Sequence, residues 1–361
     1  MTDIKMTEVK KKAVGEKYFI REENNGITVY NKPTHVFWFY EGLTLSDLEK
    51  IHVTDTPEKL EEYLTTQTEK RTKQIQSDYP FYIGWQLSGN CNLDCIYCFA
   101  ENKIHNRDTD DIMDVAETIL NFHPISVGLS GGEPTLNPRL SDIMRLFKGK
   151  TNCVLNTNGT TAQIERLMPA LKETNTFVRM TIDTFDNDLL NTLRPPVRMP
   201  ENGFDQVSKF KRNIKLMQDA DVPFMIHTVI TSKNLPTTEQ TAEELLKLGV
   251  KRWHMYSVDY SEKCREIYDD IKVTKEQMRI NHENLVRKFG DKIEITSTLK
   301  DLSFRERAVL LVDSTGRFLV DTVKSGNVYI GADPKHPTYQ ELMNELDYDV
   351  HKSCYLKNLW D

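Results

Sequence analysis

From residue 80 onward, short apolar runs alternate with stretches that have the period of an amphipathic helix. Six runs read as strands, at residues 82–88, 125–131, 152–158, 177–183, 223–231 and 250–258. Between the first two runs, Ile112, Val115 and Ile119 fall on one helical face. Strands that alternate with helices predict a parallel sheet with right-handed crossovers. Several units repeat at about 27 residues, close to the ~30 of a βαβ unit. Six units are too few for a closed eight-fold barrel, so we predict an α/β fold with an open, partial (β/α)6 TIM-like barrel.

The two ends of the chain follow other patterns. Residues 1–16 read as a mobile, Lys-rich arm, and residues 17–40 are β-rich with turn signals at ENNG and NKP. Two short helices follow, with Ser46 and Thr56 as the expected N-caps. In the tail, IEITSTL and AVLLVDSTGRFLV read as strands and TYQELMNELD as a helix, with a hairpin turn at DSTG. We therefore expect three parts: a small α+β module at 1–76, the barrel at 77–290 and a short α+β extension at 291–361.

Composition and charge narrow the function classes. The formal net charge is -7, which argues against a general nucleic-acid-binding protein. No apolar run approaches the roughly 20 residues of a membrane span, and the polar N-terminus lacks the apolar stretch of a secretory signal. We expect a cytoplasmic protein with no nucleic-acid or membrane partner. In a reducing compartment, the 6 cysteines indicate metal ligands or reactive thiols rather than disulfides.

Three of the cysteines stand together in the loop directly after the first barrel strand. Cys91, Cys95 and Cys98 have the spacing C-x3-C-x2-C, and functional loops of such barrels follow the carboxyl ends of the strands. A structural zinc site needs a fourth ligand; His105 is the nearest candidate, and Cys153 lies on a different strand. The alternative is an iron–sulfur cluster, which normally takes about four thiolates. Three thiolates would leave one iron open to an external ligand.

This cysteine loop resembles that of the radical S-adenosylmethionine (SAM) superfamily. The resemblance implies one [4Fe-4S] cluster on the three cysteines, with the open iron bound by the amino and carboxylate groups of S-adenosylmethionine. In that family, an electron from the cluster cleaves S-adenosylmethionine and releases a 5′-deoxyadenosyl radical. The resemblance also implies an electron donor such as flavodoxin or ferredoxin. Tyr97 matches the aromatic position just before the last cysteine, which lies against the adenine in the family.

Motifs at the ends of the next three strands match the same family. In GGEP, two glycines let the backbone approach a ligand closely, and a carboxylate can accept a hydrogen bond from an ammonium group. The family uses this stretch to hold the methionine amino group, and the resemblance places the residues of MTID near the ribose. The matching residues are Gly131, Gly132, Glu133 and Pro134 in GGEP, Asn158 in NTNG, and Thr181 and Asp183 in MTID.

Two further residues are expected at the cofactor by resemblance. Arg194 matches an arginine that family members often aim at the methionine carboxylate, although the nearby Arg198 could take that place. Tyr256, on the sixth strand, is expected to line the adenine pocket. His227 and His254 lie on apolar strands and read as core or pocket histidines rather than ligands.

The two flanking parts bear on the substrate. The N-terminal module resembles the winged-helix peptide-recognition element of enzymes that modify ribosomally made peptides, which binds a leader peptide as an added strand. A structural cap on the barrel would give a similar pattern. The pattern of strands and turns in the tail resembles the auxiliary-cluster extension known as SPASM, or its shorter twitch form. Where those families carry a cysteine after the hairpin, this sequence reads Leu319, Val320 and Asp321, so we expect a single cluster.

Three cysteines lie outside the motif: Cys153, Cys264 and Cys354. Cys264 follows the sixth strand, and a thiol there could donate a hydrogen atom to a carbon radical, as in radical peptide epimerases. An inert cysteine is the alternative interpretation. Cys153 lies within a strand and is expected to pack in the core.

Together, the motifs predict a radical SAM enzyme that abstracts hydrogen from a ribosomally made precursor peptide with a leader segment and closes an intramolecular crosslink. Two alternatives stay open: epimerisation with Cys264 as the catalytic hydrogen donor, and action on a small molecule. The molybdopterin-precursor cyclase shares this barrel but carries a second C-terminal cysteine cluster, which is absent here. A glycyl-radical activating enzyme is less expected because those enzymes are near the bare barrel in size. A different class is a non-catalytic iron–sulfur or zinc-binding scaffold, which would form no deoxyadenosine.

Overall fold

Two β-sheets organise the protein. The computed structural model describes residues 9–32, 34, 36–98, 100, 109–201, 203–298, 307–320 and 328–355. One sheet has five strands and belongs to the N-terminal part of the chain, and the other has ten strands and includes the predicted barrel. Within these residues, no helix is both long and apolar enough to cross a membrane.

The N-terminal sheet is an antiparallel meander in the order β1-β2-β3-β4-β5. Its strands are β1 (Lys11–Val14), β2 (Tyr18–Glu23), β3 (Gly26–Asn31), β4 (Val36–Glu41) and β5 (Arg71–Thr72). Between β4 and β5 lie the helices α1 (Leu45–Lys50) and α2 (Pro57–Thr65). The sheet and both helices share an apolar core because their buried leucines, valines and isoleucines form one cluster.

Two local predictions in this part were wrong. The described part of the segment predicted as a mobile arm contains β1, whose Val14 is buried in the module core, so Lys11 and Lys12 belong to an edge strand. Residues 1–8 lie outside the described part of the chain. Helix α1 is capped by the Thr44 side chain and not by Ser46, because the helix begins one residue before that serine. Thr56 caps α2 as predicted.

The larger sheet contains the six predicted strands in consecutive order. They are β6 (Tyr82–Ser88), β7 (Ser126–Gly131), β8 (Asn152–Thr157), β9 (Phe177–Thr181), β10 (Phe224–Ile230) and β11 (Arg252–Ser257). The helices that connect them are α3 (Thr109–Asn121), α4 (Leu140–Phe147), α5 (Ile164–Thr174), α6 (Asn187–Leu193), α7 (Gln206–Asp219) and α8 (Thr238–Lys247). All neighbouring pairs from β6 to β11 are parallel. The predicted open, partial TIM-like barrel is confirmed, with no closed barrel among the described strands.

The tail extends this sheet at both edges. After α9 (Tyr268–Ile271) and α10 (Lys275–Phe289), β12 (Glu294–Thr298) pairs in parallel with β11. At the opposite edge, β13 (Leu310–Val312) pairs in parallel with β6 and forms the predicted hairpin with β14 (Phe318–Val320). The remaining elements are β15 (Val328–Tyr329), α11 (Tyr339–Glu345) and α12 (Tyr348–Tyr355). The division of the chain into three domains stays a prediction.

The N-terminal sheet packs against the amino ends of the barrel strands. An aromatic cluster joins Phe19 and Tyr30 of the N-terminal sheet to Phe81 and Ile125, which immediately precede β6 and β7. The Arg21 guanidinium is fully buried at the same boundary. Its hydrogen bonds reach Glu23, Ser77 and the backbone carbonyls of Tyr79, Pro80 and His123. The carboxyl ends of the strands, where the cysteine loop lies, are therefore at the other end of the barrel.

Candidate functional site

The cysteine loop follows β6 and is held by the segment that follows α6. The Asp94 N–H donates to the Pro195 carbonyl at 2.7 Å, and the Ile96 N–H donates to the Leu193 carbonyl at 3.0 Å. Because these bonds run along the backbone, they fix the path of the loop whatever its side chains are. The three cysteines are thus presented on an ordered loop at the carboxyl ends of the strands, as predicted.

The three thiols share one partly buried region. Exclusion of water raises the pKa of Cys91 to about 11 and that of Cys95 to about 12. The neighbouring thiols raise both pKa values further, whereas the Arg194 guanidinium lowers them. Metal binding requires the thiolate, so a cationic metal centre would supply the positive charge that the surroundings only partly provide.

The donor set fits an iron–sulfur cluster. Among the described residues, no three His, Cys, Asp or Glu side chains converge as ligands of a single metal ion. Cysteine thiolates are the usual ligands of iron–sulfur clusters, and a cluster with several irons can take each thiolate on a different iron. The candidate zinc ligand His105 lies outside the described residues.

The two glycines of GGEP allow the cysteine loop to lie directly against β7. Gly131 has a φ of +125°, and a Cβ there would stand 2.4 Å from the Ser88 carbonyl oxygen. A Cβ on Gly132 would stand 2.2 Å from the Asn90 carbonyl oxygen. Both distances are far shorter than non-bonded contacts allow, so only glycine fits. The glycines were expected to admit a ligand; the structure shows that they admit the backbone leading into the cysteine loop.

The Glu133 carboxylate is fully buried and already engaged by the protein. One oxygen accepts hydrogen bonds from the Thr135 N–H at 3.0 Å, the Thr135 hydroxyl at 2.5 Å and the Thr157 hydroxyl at 2.7 Å. The other accepts from the Asn158 N–H at 2.7 Å. Burial raises the pKa of Glu133, and these hydrogen bonds oppose the rise. Glu133 therefore ties GGEP to the end of β8, while Pro134 begins the short 3-10 helix that follows.

Asn158 connects three parts of the site. Its side chain donates to the Asn92 side chain at 2.8 Å and lies 3.9 Å from the Cys91 sulfur. Its carbonyl accepts from Arg194 at 2.8 Å. Asn92 in turn donates to the Thr160 hydroxyl at 2.9 Å. Sequence reasoning singled out Asn158 but missed Asn92 and Thr160; their positions inside the CNLDC and NTNGT motifs were the available signal.

Thr181, Asp183, Tyr97 and Arg194 meet beside the cysteine loop. The Tyr97 hydroxyl donates to the Asp183 carboxylate, which also accepts from the Val229 N–H at 3.0 Å. Burial raises the pKa of Asp183 and, together with the nearby carboxylate, that of Tyr97. The Arg194 guanidinium donates to the Thr181 carbonyl at 2.5 Å. The structure thus brings four predicted residues from separate parts of the chain into one network.

Between the two candidate arginines, the structure favours Arg194. Arg194 is 1% exposed and its charge acts on Cys91, Cys95 and Asp183. Arg198 is exposed to solvent. A buried cation at this position can act on a negatively charged ligand with little screening.

Tyr256 lies on the inner face of the sheet with the two histidines. Its ring contacts those of His254 at 4.3 Å and His227 at 5.0 Å between centroids. Both His254 ring nitrogens lie within hydrogen-bond distance of threonine hydroxyls, Thr296 at 2.7 Å and Thr298 at 3.0 Å. This agrees with their interpretation as pocket residues, and the role of Tyr256 at the adenine stays a prediction.

The two remaining described cysteines are buried. Cys264 is 0% exposed, packs near Ile96 and Tyr97, and its sulfur lies 3.2 Å from the Ser261 backbone nitrogen. Cys153 belongs to the main core cluster, as expected from its strand position. The side chain of Cys354 and the residue Asp321 lie outside the described part of the chain.

Comparisons with known proteins identify the domain that carries this site. Residues 85–245 match the Radical SAM superfamily, and the chain therefore contains a radical SAM superfamily domain. The family uses a [4Fe-4S] cluster and S-adenosylmethionine. The match covers all the predicted site residues except Tyr256 and Cys264.

Three curated relatives illustrate the range of the superfamily. An uncharacterized protein of Methanocaldococcus jannaschii is 31% identical over 46% of this chain and 58% of its own. A probable GTP 3′,8-cyclase of Methanococcus aeolicus is 27% identical over 56% and 68%. Mycofactocin maturase MftC of Mycolicibacterium smegmatis is 24% identical over 60% and 54%. The chain spans about half to two thirds of the length of these relatives.

Solved structures resemble the fold over more of the chain. SuiB of Streptococcus suis, bound to S-adenosylmethionine, matches with a TM-score of 0.63 and 13% identity over 95% of this chain and 90% of SuiB. AnSMEcpe with bound AdoMet matches with a TM-score of 0.56 and 20% identity over 77% and 82%. At these identities the likeness concerns the fold alone.

Proposed function

We propose that the protein is a radical SAM enzyme that abstracts hydrogen from a ribosomally made precursor peptide and closes an intramolecular crosslink. One observation supports a peptide most strongly: the likeness to SuiB extends over 95% of this chain and so includes the N-terminal module as well as the barrel. SuiB has also been solved with its precursor peptide SuiA bound. MftC, a maturase, is a relative in sequence.

In this proposal, the chain's own residues bind and orient the cofactors. Cys91, Cys95 and Cys98 would hold the cluster, and the buried Arg194 would bind the methionine carboxylate. When bound, the cluster and S-adenosylmethionine together would supply the 5′-deoxyadenosyl radical. Asp183, which accepts a hydrogen bond from Tyr97, would bind the ribose. Because the network is buried, these side chains need little reorganisation when the cofactor arrives.

The edge of β1 is the proposed docking site for the leader segment. Among the described strands, β1 pairs only with β2. The Glu22 N–H donates to the Lys10 carbonyl, and in an antiparallel pair the hydrogen-bonding residues alternate. The backbone groups of Lys11 and Ala13 therefore face away from β2, where an added peptide strand could pair with them.

A cavity beside this edge gives such a strand room. It has a volume of about 700 Å³. Its lining includes Lys10 and Lys11 from the N-terminal part and Leu120, His123 and Leu146 from the barrel. The lining is apolar with charges of both signs, since Glu49 and Glu117 also belong to it, and this suits a peptide strand with alternating apolar and charged side chains.

A small-molecule substrate is the second candidate. The probable GTP 3′,8-cyclase aligns over 68% of its own length, which is more than either of the other two relatives. Epimerisation is less favoured because the Cys264 side chain is 0% exposed and packed in an apolar cluster. A hydrogen-atom donor must reach the substrate radical.

The experiment is anaerobic reconstitution, followed by incubation with the product of any short open reading frame beside this gene. S-adenosylmethionine and a reductant are added, and the peptide mass is measured. A crosslink removes two hydrogen atoms from the peptide: the 5′-deoxyadenosyl radical would take one, and the other would leave as a proton and an electron, with the oxidised cluster as the electron acceptor. Tandem mass spectrometry locates the joined residues. An unchanged mass with deuterium gained from D2O would indicate epimerisation. An unmodified peptide together with conversion of GTP would overturn the peptide proposal.

A further inference from the structure

An arginine lies on the inner face of the barrel sheet, below the predicted S-adenosylmethionine residues. In β9, Val178 and Met180 pack in the core between the sheet and its helices. Because side chains alternate along a strand, Arg179 lies on the opposite face, inside the partial barrel. Its register neighbours are Asn156 of β8 and Met225 of β10.

The Nε atom of this guanidinium is buried and has no hydrogen-bond partner in the described part of the chain. The side chain as a whole is partly buried, and no carboxylate of a described residue forms an ion pair with it. A buried donor without an acceptor is destabilising, and more so when it belongs to a charged group. Buried polar groups in native proteins are nearly always satisfied by protein, water, an ion or a ligand, so this donor is available to a ligand.

The acidic groups on the same face are engaged elsewhere. Glu294 pairs with Arg252, its direct neighbour across β11 and β12, at 3.1 Å. Asp183 accepts from Tyr97 and from the Val229 N–H. Among the described inner-face residues, Arg179 is therefore the cation whose charge is not balanced by a carboxylate.

The surroundings of Arg179 form a closed floor. Val154 and Phe177 are buried on the same face, two residues toward the amino ends of the strands. Burial raises the pKa of the Tyr30 and Tyr82 phenols, and the positive charge of Arg179 opposes the rise in both. The position that a Cβ on Gly128 would take is filled by the Tyr82 hydroxyl, 1.7 Å away. A ligand of Arg179 must therefore enter from the carboxyl end.

Among the described residues, the wall toward the carboxyl end is aromatic and polar, with no further cation that lacks a carboxylate partner. It contains the rings of His227, His254 and Tyr256. Thr181, two residues after Arg179 on the same face, lies about 7 Å further along the strand. A ligand bound by Arg179 would thus extend from the floor toward the predicted cofactor residues.

We propose that Arg179 binds a carboxylate of the substrate inside the barrel and so sets which carbon faces the cofactor. The identification of that carboxylate as an Asp, Glu or C-terminal group of a peptide rests on the proposed function. One guanidinium matches the single charge and planar geometry of a carboxylate. A triphosphate would need several cations, and the described inner face supplies one that is unpaired.

The test measures anion binding without requiring the natural substrate. The reconstituted enzyme with S-adenosylmethionine is titrated with trifluoroacetate, followed by 19F line broadening, and separately with inorganic phosphate, followed by 31P line broadening. Arg179→Gln removes the charge, Arg179→Lys retains it without the planar fork, and Arg252→Gln is the matched control on the same face. Cluster absorbance and circular dichroism verify that each variant is folded.

Trifluoroacetate binding should weaken about 10- to 100-fold in Arg179→Gln, less in Arg179→Lys and not in Arg252→Gln. Equal broadening in Arg179→Gln and the wild type, or no broadening in either, would overturn the proposal. Phosphate binding without trifluoroacetate binding would overturn the carboxylate assignment. Arg179-dependent trifluoroacetate binding in an enzyme that leaves every candidate peptide unmodified would retain the carboxylate site and overturn the peptide.

If a peptide is modified, its acidic residues provide a second test. Each is changed singly to its amide, and product formation is measured with wild type and Arg179→Gln. One amide substitution should raise KM in the wild type but add nothing in Arg179→Gln, because the two changes remove the same contact. Independent, additive effects at every acidic residue would contradict the proposal.

Discussion

The two ends of the barrel strands are built from different kinds of contact. At the carboxyl ends, short motifs meet through backbone groups: the glycines of GGEP lie against residues 88–90, and Asn158 joins the cysteine loop to Arg194. At the amino ends, side chains from distant parts of the chain meet. Arg21 of the N-terminal sheet, Phe81 before β6 and His351 of α12 lie at one boundary.

This difference explains why the site at the carboxyl ends could be predicted from the sequence and the boundary at the amino ends could not. A site in which backbone segments pack closely against one another requires particular residues, such as glycine, at fixed positions. Such residues form recognisable motifs. A boundary made of side-chain packing accepts many residue combinations of suitable size. We therefore expect substitutions at the carboxyl end to abolish chemistry and substitutions at the amino end to change stability or substrate delivery.

The largest effect is expected for Cys91→Ala at the carboxyl end. Loss of one of three thiolates should remove the cluster and reduce deoxyadenosine formation below detection. Iron content, the cluster absorbance and deoxyadenosine are measured after anaerobic reconstitution. Cys153→Ala is the matched control: it should retain about four irons per chain and lose only roughly 1–2 kcal/mol of stability. Bound zinc and no deoxyadenosine in the wild type would contradict the assignment.

Gly132→Ala should nearly match that loss although no ligand is removed. The new Cβ would overlap the Asn90 carbonyl, 2.2 Å away, and displace the cysteine loop. Gly149 offers a control because a Cβ there would meet nothing within 4 Å. Its positive φ should cost Gly149→Ala about 1–2 kcal/mol. Cluster content and S-adenosylmethionine binding are measured, and wild-type values in Gly132→Ala would show that the close approach is unimportant.

Arg21→Met should test the amino end. It leaves the buried Glu23 carboxylate without its partner and should destabilise the protein by about 3–5 kcal/mol. Lys215→Met, which removes an exposed pair with Asp219, should cost less than about 1 kcal/mol. Urea unfolding gives both values. Deoxyadenosine formed per folded molecule should stay unchanged in both variants; a loss in Arg21→Met would show that the two ends are coupled.

His351 should make the amino end sensitive to acid. Its Nε2 accepts from the Phe81 N–H at 3.0 Å, its Nδ1 donates to the Ala308 carbonyl, and burial lowers its pKa from 6.5 to about 4. Between these two pH values the unfolded chain binds more protons than the folded chain, so stability falls as the pH falls from about 6.5 to about 4. His351→Asn should remove up to about 3 kcal/mol of that dependence. Parallel pH profiles for both proteins would refute this role.

The smallest effect is expected for Cys264→Ala. The thiol is buried against Ile96 and Tyr97, so its loss should cost roughly 1 kcal/mol and leave the crosslinked product unchanged. Cys264→Ser is the companion variant because it keeps a polar group of similar size. Product lost while S-adenosylmethionine cleavage persists would instead favour epimerisation, with Cys264 as the donor.

The sequence predicted the parallel strands and the motifs well, for a physical reason. In residues 82–88, the alternating Ile83, Trp85 and Leu87 indicate a strand with one face in the core, and motifs such as GGEP indicate a constrained backbone. It did not reveal that β12 and β13 join opposite edges of the barrel sheet, since pairing between distant strands leaves no local signal. Arg179 was overlooked because one charged residue within an apolar strand has the same pattern whether or not it is paired.

The central claim is that the carboxyl end generates the radical while the β1 edge delivers the peptide. The most direct measurement is the ratio of modified peptide to deoxyadenosine in Ala13→Pro, with Ala13→Val as the control. Proline removes the outward N–H at position 13 without breaking the pairing with β2. The account predicts that product falls in Ala13→Pro while deoxyadenosine formation stays at the wild-type level. Equal product in Ala13→Pro and Ala13→Val, or a parallel loss of product and deoxyadenosine, would contradict it.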